Sequence, residues 1–307
     1  MRCSQTSAGK PPRVRGAIED TGLNRERARP PATGGLSSQR IALGVEYDGS
    51  GFCGWQTQAG VRTVQAALEA AIGRVADEPV RVQCAGRTDA GVHAEEQVLH
   101  FDTSAHRSDR SWVLGTNAHL PPDVAVRWAR PVDPRFHARF SAIARHYRYL
   151  IMVRSTRSPL HRDRVVWTHR LLDTERMGKA GQTLVGVHDF SSFRAVACQA
   201  KSPIRHVHYL ELTDTSGLIE LRIGANGFLH HMVRNIVGVL MMIGRGDAPV
   251  GWTRDLLSLR DRRLGGVTAP PHGLYFVRAD YPAELHLPPV QSARLSGGLT
   301  PSHMGNA

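Results

Sequence analysis

Ile41, Leu43, Val45 and Tyr47 alternate with Ala42, Gly44 and Glu46, the period-two pattern of a half-buried strand. A helical period follows. Val64, Ala67, Leu68, Ala71, Ile72 and Val75 recur at i, i+3, i+4, i+7, i+8 and i+11 behind Thr63 as N-cap, which predicts a helix packed on that strand's sheet. Val80, Val82 and Cys84 alternate again, as do Val98 and His100 against Leu99 and Phe101, so strands flank the segment between them. Asn117 to Val126 reads as a loop entering a short strand, and Phe136-His-Ala-Arg139 as a basic connector. In the second half Tyr147, Tyr149, Ile151 and Val153 share one face of a strand over 145–153. A helix is expected over 174–185, a polar aromatic loop over 188–194, and strands over 204–213 and 218–223 joined by a turn at 214–217. A long helix over 229–243 and a strand over 273–279 complete the body.

The order strand, helix, strand, strand thus occurs in each half. It predicts an α+β chain of two α/β units on largely antiparallel sheet, with a cleft where they meet. The Pro-, Gly-, Ser- and Arg-rich stretch 1–38 is too poor in apolar residues to order itself. The expected divisions are a disordered leader over 1–38, an N-terminal unit over 39–144, a C-terminal unit over 145–282 and a flexible tail over 283–307.

The formal charge of +12 on 307 residues points to a polyanionic partner. The first 38 residues hold seven Arg/Lys and three Asp/Glu, so +8 remains on the body. Cys3, Cys53, Cys84 and Cys198 include no C-x-x-C pair, which argues against a disulfide framework and a thiolate zinc site and fits a reduced, cytoplasmic setting. No run has the length of a membrane span.

Several motifs are incomplete. Gly49-Ser-Gly51-Phe-Cys-Gly54 matches G-x-G-x-x-G after a strand, but the chain continues through Trp55-Gln-Thr-Gln-Ala-Gly60 where that fingerprint opens a helix. His93-Ala-Glu95 matches half of the zinc deaminase signature, without the P-C-x-x-C half. His206 with His208, and His230 beside His231, form no H-E-x-x-H, so no metal site is expected. What stands out is Cys84-Ala-Gly-Arg-Thr-Asp-Ala-Gly-Val-His93, a tight loop between strands that carries Asp89. Thr-Asp-Ala-Gly is ordinary turn chemistry. Arg87, two residues away, is expected to hold the carboxylate ionised and oriented.

On the long helix His231, Arg234, Asn235 and Gly238 fall on one face, bordering a cleft or simply facing solvent. A carboxylate without a metal acts as a nucleophile at a sugar carbon or as a base. With a polyanionic partner, that suggests chemistry at a ribose in RNA. A non-catalytic RNA-binding protein is the alternative, although a carboxylate in the cleft would repel phosphate and gain such a protein nothing.

Tyr47-Asp-Gly-Ser-Gly-Phe-Cys-Gly-Trp-Gln-Thr-Gln58, Gly86-Arg-Thr-Asp-Ala-Gly-Val-His-Ala94, Arg145-His-Tyr147-Arg-Tyr149, Phe190-Ser-Ser-Phe-Arg194, His230-His-Met-Val-Arg-Asn-Ile-Val-Gly238 and Ala269-Pro-Pro-His-Gly-Leu274 closely resemble, in the same order, the tRNA pseudouridine synthase A family. The resemblance spans residues 40–282. It implies the pseudouridine synthase fold and an isomerase that converts uridine to pseudouridine at positions 38, 39 and 40 of the tRNA anticodon stem-loop. It further implies a cofactor-free, cytoplasmic homodimer whose partner is tRNA. Carried over, Asp89 matches the catalytic aspartate and Tyr147 the tyrosine that stacks on the target uracil. Arg87 and Arg234 match basic residues of the active site, and Leu274 an apolar wall.

Overall fold

The computed structural model describes residues 38–288. Residues 1–37 of the leader expected over 1–38 and most of the tail expected over 283–307 therefore lie outside the described residues. The strands are β1 (Gln39–Tyr47), β2 (Gln83–Cys84), β3 (His93–Thr103), β4 (Val124–Val132), β5 (Ala144–Val153), β6 (Val166–Thr168), β7 (Gly186–Asp189), β8 (Ile204–Thr215), β9 (Leu218–Ala225) and β10 (Leu274–Asp280). The helices are α1 (Val64–Ala76), α2 (Asp109–His119), α3 (Thr174–Gln182), α4 (Met232–Gly244) and α5 (Trp252–Leu259).

All the strands join one mixed sheet in the order β4-β1-β3-β10-β5-β9-β8-β7, with β2 added on β3 and β6 on β5. The pairings are antiparallel except β10 with β3 and β5 with β6. The last strand is therefore the link between the two halves. It sets Tyr275 opposite His93 on one side and Phe276 opposite Tyr147 on the other.

The apolar positions sort into two cores. Ile41, Leu43, Leu68, Ile72, Phe101 and Trp112 belong to the first, built on β1, β3, α1 and α2. Tyr149, Ile151, Leu221, Ile223, Ile236 and Leu240 belong to the second, built on β5, β9 and α4. The seam between them runs through β10, whose Leu274 lies in the second core and Phe276 in the first. Tyr147 packs against both.

α1 begins where its stripe predicts, with the Thr63 hydroxyl accepting from Ala66 N at 3.4 Å. The expected loop after 117 is instead preceded by α2, capped by Ser108, whose hydroxyl accepts from Ser111 N at 3.1 Å. Only Trp112 and Thr116 of α2 are buried, so no apolar stripe announces it. α5 is likewise short, with only Thr253 and Leu256 buried. The strand expected at Val80 shrinks to β2 because Val82 N donates to Glu69 Oε1 of α1 at 3.1 Å rather than to a neighbouring strand. Cys84 and Cys198 are free thiols. No described helix is long and apolar enough to cross a membrane.

Candidate active site

Residues 84–93 leave β2 and enter β3 across the seam: Cys84, Ala85 and Ala94 pack in the first core and Val92 in the second. The turn forms as its sequence predicts, with Val92 N donating to the Asp89 carbonyl at 3.1 Å and Gly91 at φ 78°. Buried polar groups fix its approach. Gln97 of β3, fully buried, accepts from Gly86 N at 3.2 Å and donates to the Gly86 carbonyl at 2.6 Å. The Tyr47 hydroxyl lies 2.8 Å from Thr88 Oγ1, and Trp55 N donates to the Thr88 carbonyl at 3.0 Å. The glycine-rich loop after β1 packs on this turn so closely that a Cβ on Gly49 would lie 2.0 Å from the Val92 carbonyl oxygen. Its glycines thus admit a neighbouring backbone, which is why the dinucleotide fingerprint lacks its helix.

The Asp89 carboxylate faces the start of α4. Arg234 Nη1 donates to Oδ2 at 2.9 Å, while His231 Nε2 lies 3.2 Å from Oδ2 and His230 Nε2 3.3 Å from Oδ1. Arg234 is itself oriented by donating from Nε to the Ala269 carbonyl at 2.8 Å. Burial by itself would push the Asp89 carboxyl up. The hydrogen bonds from His230 and His231 and the charges of His231 and Arg234 outweigh it and hold the group well below the usual carboxylate range. The same hydrogen bond raises His230 above an ordinary imidazole against a smaller effect of burial. His231 sits at φ 62°, a left-handed conformation that costs about 1–3 kcal/mol in a residue with a side chain and that clusters at functional sites.

Tyr147 stands beside this group. It is half-buried, with Phe228 and Phe276 edge-on at 5.0 and 5.2 Å. A Cβ on Gly86 would lie 3.6 Å from its hydroxyl and 3.2 Å from Phe276 Cε2, so the Asp89 loop runs in contact with both rings. Burial, and then the Asp89 charge, raise the phenol above its ordinary value, so it is neutral at physiological pH and able to donate. Leu274 is only 5% exposed in the second core. Arg87 is exposed and forms no ion pair with Asp89 among the described residues. The brace expected from Arg87 is therefore supplied by Arg234, 145 residues further along the chain, because the carboxylate points to α4 rather than back along its own loop. The structure thus gathers Asp89, Tyr147 and Arg234 around the seam, leaves Arg87 at the surface and sets Leu274 in the core beneath.

A family profile described as tRNA pseudouridine synthase matches residues 44–141 and 180–282. The chain is 61% identical over 249 residues to tRNA pseudouridine synthase A of Nitrosococcus oceani, covering 81% of this chain and 96% of that one. It is 58% identical to the same-named protein of Methylococcus capsulatus, covering 81% and 92%, and 57% identical to that of Pseudomonas aeruginosa, covering 84% and 90%. This chain belongs to the tRNA pseudouridine synthase family.

Within this synthase, His230 and His231 are the Asp89 partners that sequence reasoning missed. A signal was available, since His231 shares a helix face with Arg234. That face is neither solvated nor uniform: Asn235 is buried and donates to the Phe193 carbonyl at 2.7 Å. Asp89, His230 and His231 also place three potential ligand atoms within 4.8 Å of one another, a set that could hold a metal ion. The Arg234 guanidinium on the same carboxylate opposes a cation there.

Proposed function

We propose that this synthase isomerises uridine at positions 38, 39 and 40 of the tRNA anticodon stem-loop, as a cytoplasmic, cofactor-free homodimer with Asp89 as nucleophile. The observation that carries this reading is the ionised Asp89 carboxylate, held by Arg234 and two imidazoles on the seam beside Tyr147. Conversion requires the N1–C1′ bond to break, the uracil to turn, a C5–C1′ bond to form and the C5 proton to leave. The nucleotide must first leave its stack and be held by its base face.

In this reading Tyr147 stacks on the uracil and its neutral hydroxyl serves the C5 proton transfer, while Leu274 closes the pocket as an apolar wall. Arg234 keeps Asp89 ionised and aimed, and the exposed Arg87 meets the phosphate of the flipped nucleotide. Asp89 either attacks C1′ or removes the C2′ proton; both routes need it unprotonated and within reach of the ribose. Carbodiimide adducts that stop reverse transcription on pseudouridine map the modified positions in transcripts treated with the enzyme. Stops at 38, 39 and 40 are expected, and stops confined to another arm of the tRNA would overturn the positional assignment.

A further inference from the structure

Phe140 is 77% exposed and yet held in place. Its own N–H and that of Arg139 donate to His137 Nδ1 at 3.2 and 3.1 Å, so the His137 proton resides on Nε2, which donates to Gln83 Oε1 at 2.7 Å. The His137 ring lies against Phe140 at 4.3 Å, and the Arg139 guanidinium sits 5.7 Å from the Phe140 ring centroid. Ile143 at the end of the same segment is also exposed.

The segment is tied to the Asp89 loop. Arg145 donates to the Arg139 carbonyl and, from Nε and Nη2, to the Ala85 carbonyl at 3.4 and 3.3 Å. Ala85 is two residues before the exposed Arg87. Burying a phenyl ring is normally among the larger favourable contributions to folding. Here the ring is left in water on a rigid mount beside the reactive loop, with the Arg139 guanidinium over it. An exposed aromatic ring with a neighbouring cation is the arrangement that binds unpaired nucleotides, because every nucleotide presents a base π-face and a phosphate.

We propose that Phe140, with Arg139 beside it, is a stacking platform for an unpaired base of the tRNA substrate flanking the target uridine. The proposal rests on the tRNA reading above and adds to it a contact outside the reactive pocket. A second copy of the chain fits the surface less well. A two-fold axis through this patch would bring a second copy of its arginines to the same surface, whereas RNA phosphates neutralise them.

The test compares wild type with Phe140→Ala, Phe140→Trp and Phe140→Leu in equilibrium binding and single-turnover conversion of a tRNA transcript, with sedimentation of each protein. Phe140→Ala and Phe140→Leu should weaken binding about ten-fold, with a smaller effect on the saturating rate, and Phe140→Trp should restore it. A 2-aminopurine in the anticodon loop should be quenched by wild type and less so by Phe140→Ala. Unchanged binding by Phe140→Ala overturns the platform, as does a changed oligomeric state, which would assign the surface to a second copy. Wild type that neither binds nor converts tRNA overturns instead the reading on which the proposal rests.

Discussion

Asp89 and Asp280 are each paired with an arginine and a histidine. Asp280, at the end of β10, accepts from Arg278 Nε at 2.8 Å and lies 2.6 Å from His146 Nε2, whose Nδ1 is 2.8 Å from the Tyr209 hydroxyl. Asp89 has Arg234, His230 and His231. Both carboxyls are lowered by their donors against the opposing effect of burial. The histidines part company: burial lowers His146 despite Asp280, whereas the bond to Asp89 raises the half-exposed His230. The pairing of residue types therefore does not make a site. Asp280 closes a chain of hydrogen bonds between strands, while Asp89 sits on a loop at a seam, with partly exposed histidines as partners and an aromatic ring beside it.

The largest expected difference comes from removing the charge at each place. Asp89→Asn should lower turnover at least about a thousand-fold, with tRNA affinity within a few-fold. Asp280→Asn should keep turnover within a few-fold and instead lower the melting temperature, by about 2–4 °C for each kcal/mol lost. Equal losses of turnover in the two variants would erase the comparison. Next, Arg234→Ala leaves Asp89 with only its imidazoles and frees the Ala269 carbonyl; a drop in single-turnover rate of about a hundred-fold is expected, with Arg278→Ala as the control that retains activity.

Tyr147→Phe sharpens the contrast between neighbours on β5. Stacking survives, so tRNA binding should stay near normal while turnover slows about ten- to a hundred-fold through loss of the hydroxyl. An unchanged single-turnover rate would remove the hydroxyl from proton transfer.

The smallest effect concerns pH. Asp89 has a depressed folded value, so the stability it contributes is present above the ordinary carboxylate pKa and is lost only as pH falls through that lower value. His230 is raised, so its contribution is full below the ordinary imidazole pKa and is lost as pH rises through its folded value. His230→Ala should therefore move the acid limb of the single-turnover rate to higher pH, since Asp89 loses one hydrogen bond that kept it ionised. An acid limb that does not move would mean that Arg234 and His231 alone set the Asp89 charge.

Much of this arrangement is legible along the chain because it is local. The stripe from Val64 to Val75 predicts α1 to within a residue of its observed end at Ala76, and Thr-Asp-Ala-Gly predicts the turn. α2 is not legible, since a helix that buries only Trp112 and Thr116 leaves no periodic trace. The brace on Asp89 is not legible from its own loop either. Arg87 is the nearest cation in sequence, but the antiparallel register of β10 with β5, and its parallel register with β3, carry the second core and α4 to the carboxylate. Motif resemblance assigns Arg234 to the site and helix spacing sets His231 on its face, but that both histidines reach Asp89 requires the fold.

Release of tritium from tRNA labelled at uridine C5, measured in a single turnover with wild type and Asp89→Asn, tests the central claim most directly. Forming the C5–C1′ bond must expel that hydrogen. Release by wild type and none by Asp89→Asn, with both proteins binding the tRNA, is the expected result. Release by Asp89→Asn at the wild-type rate would contradict the assignment of Asp89 as the group that opens the glycosidic bond.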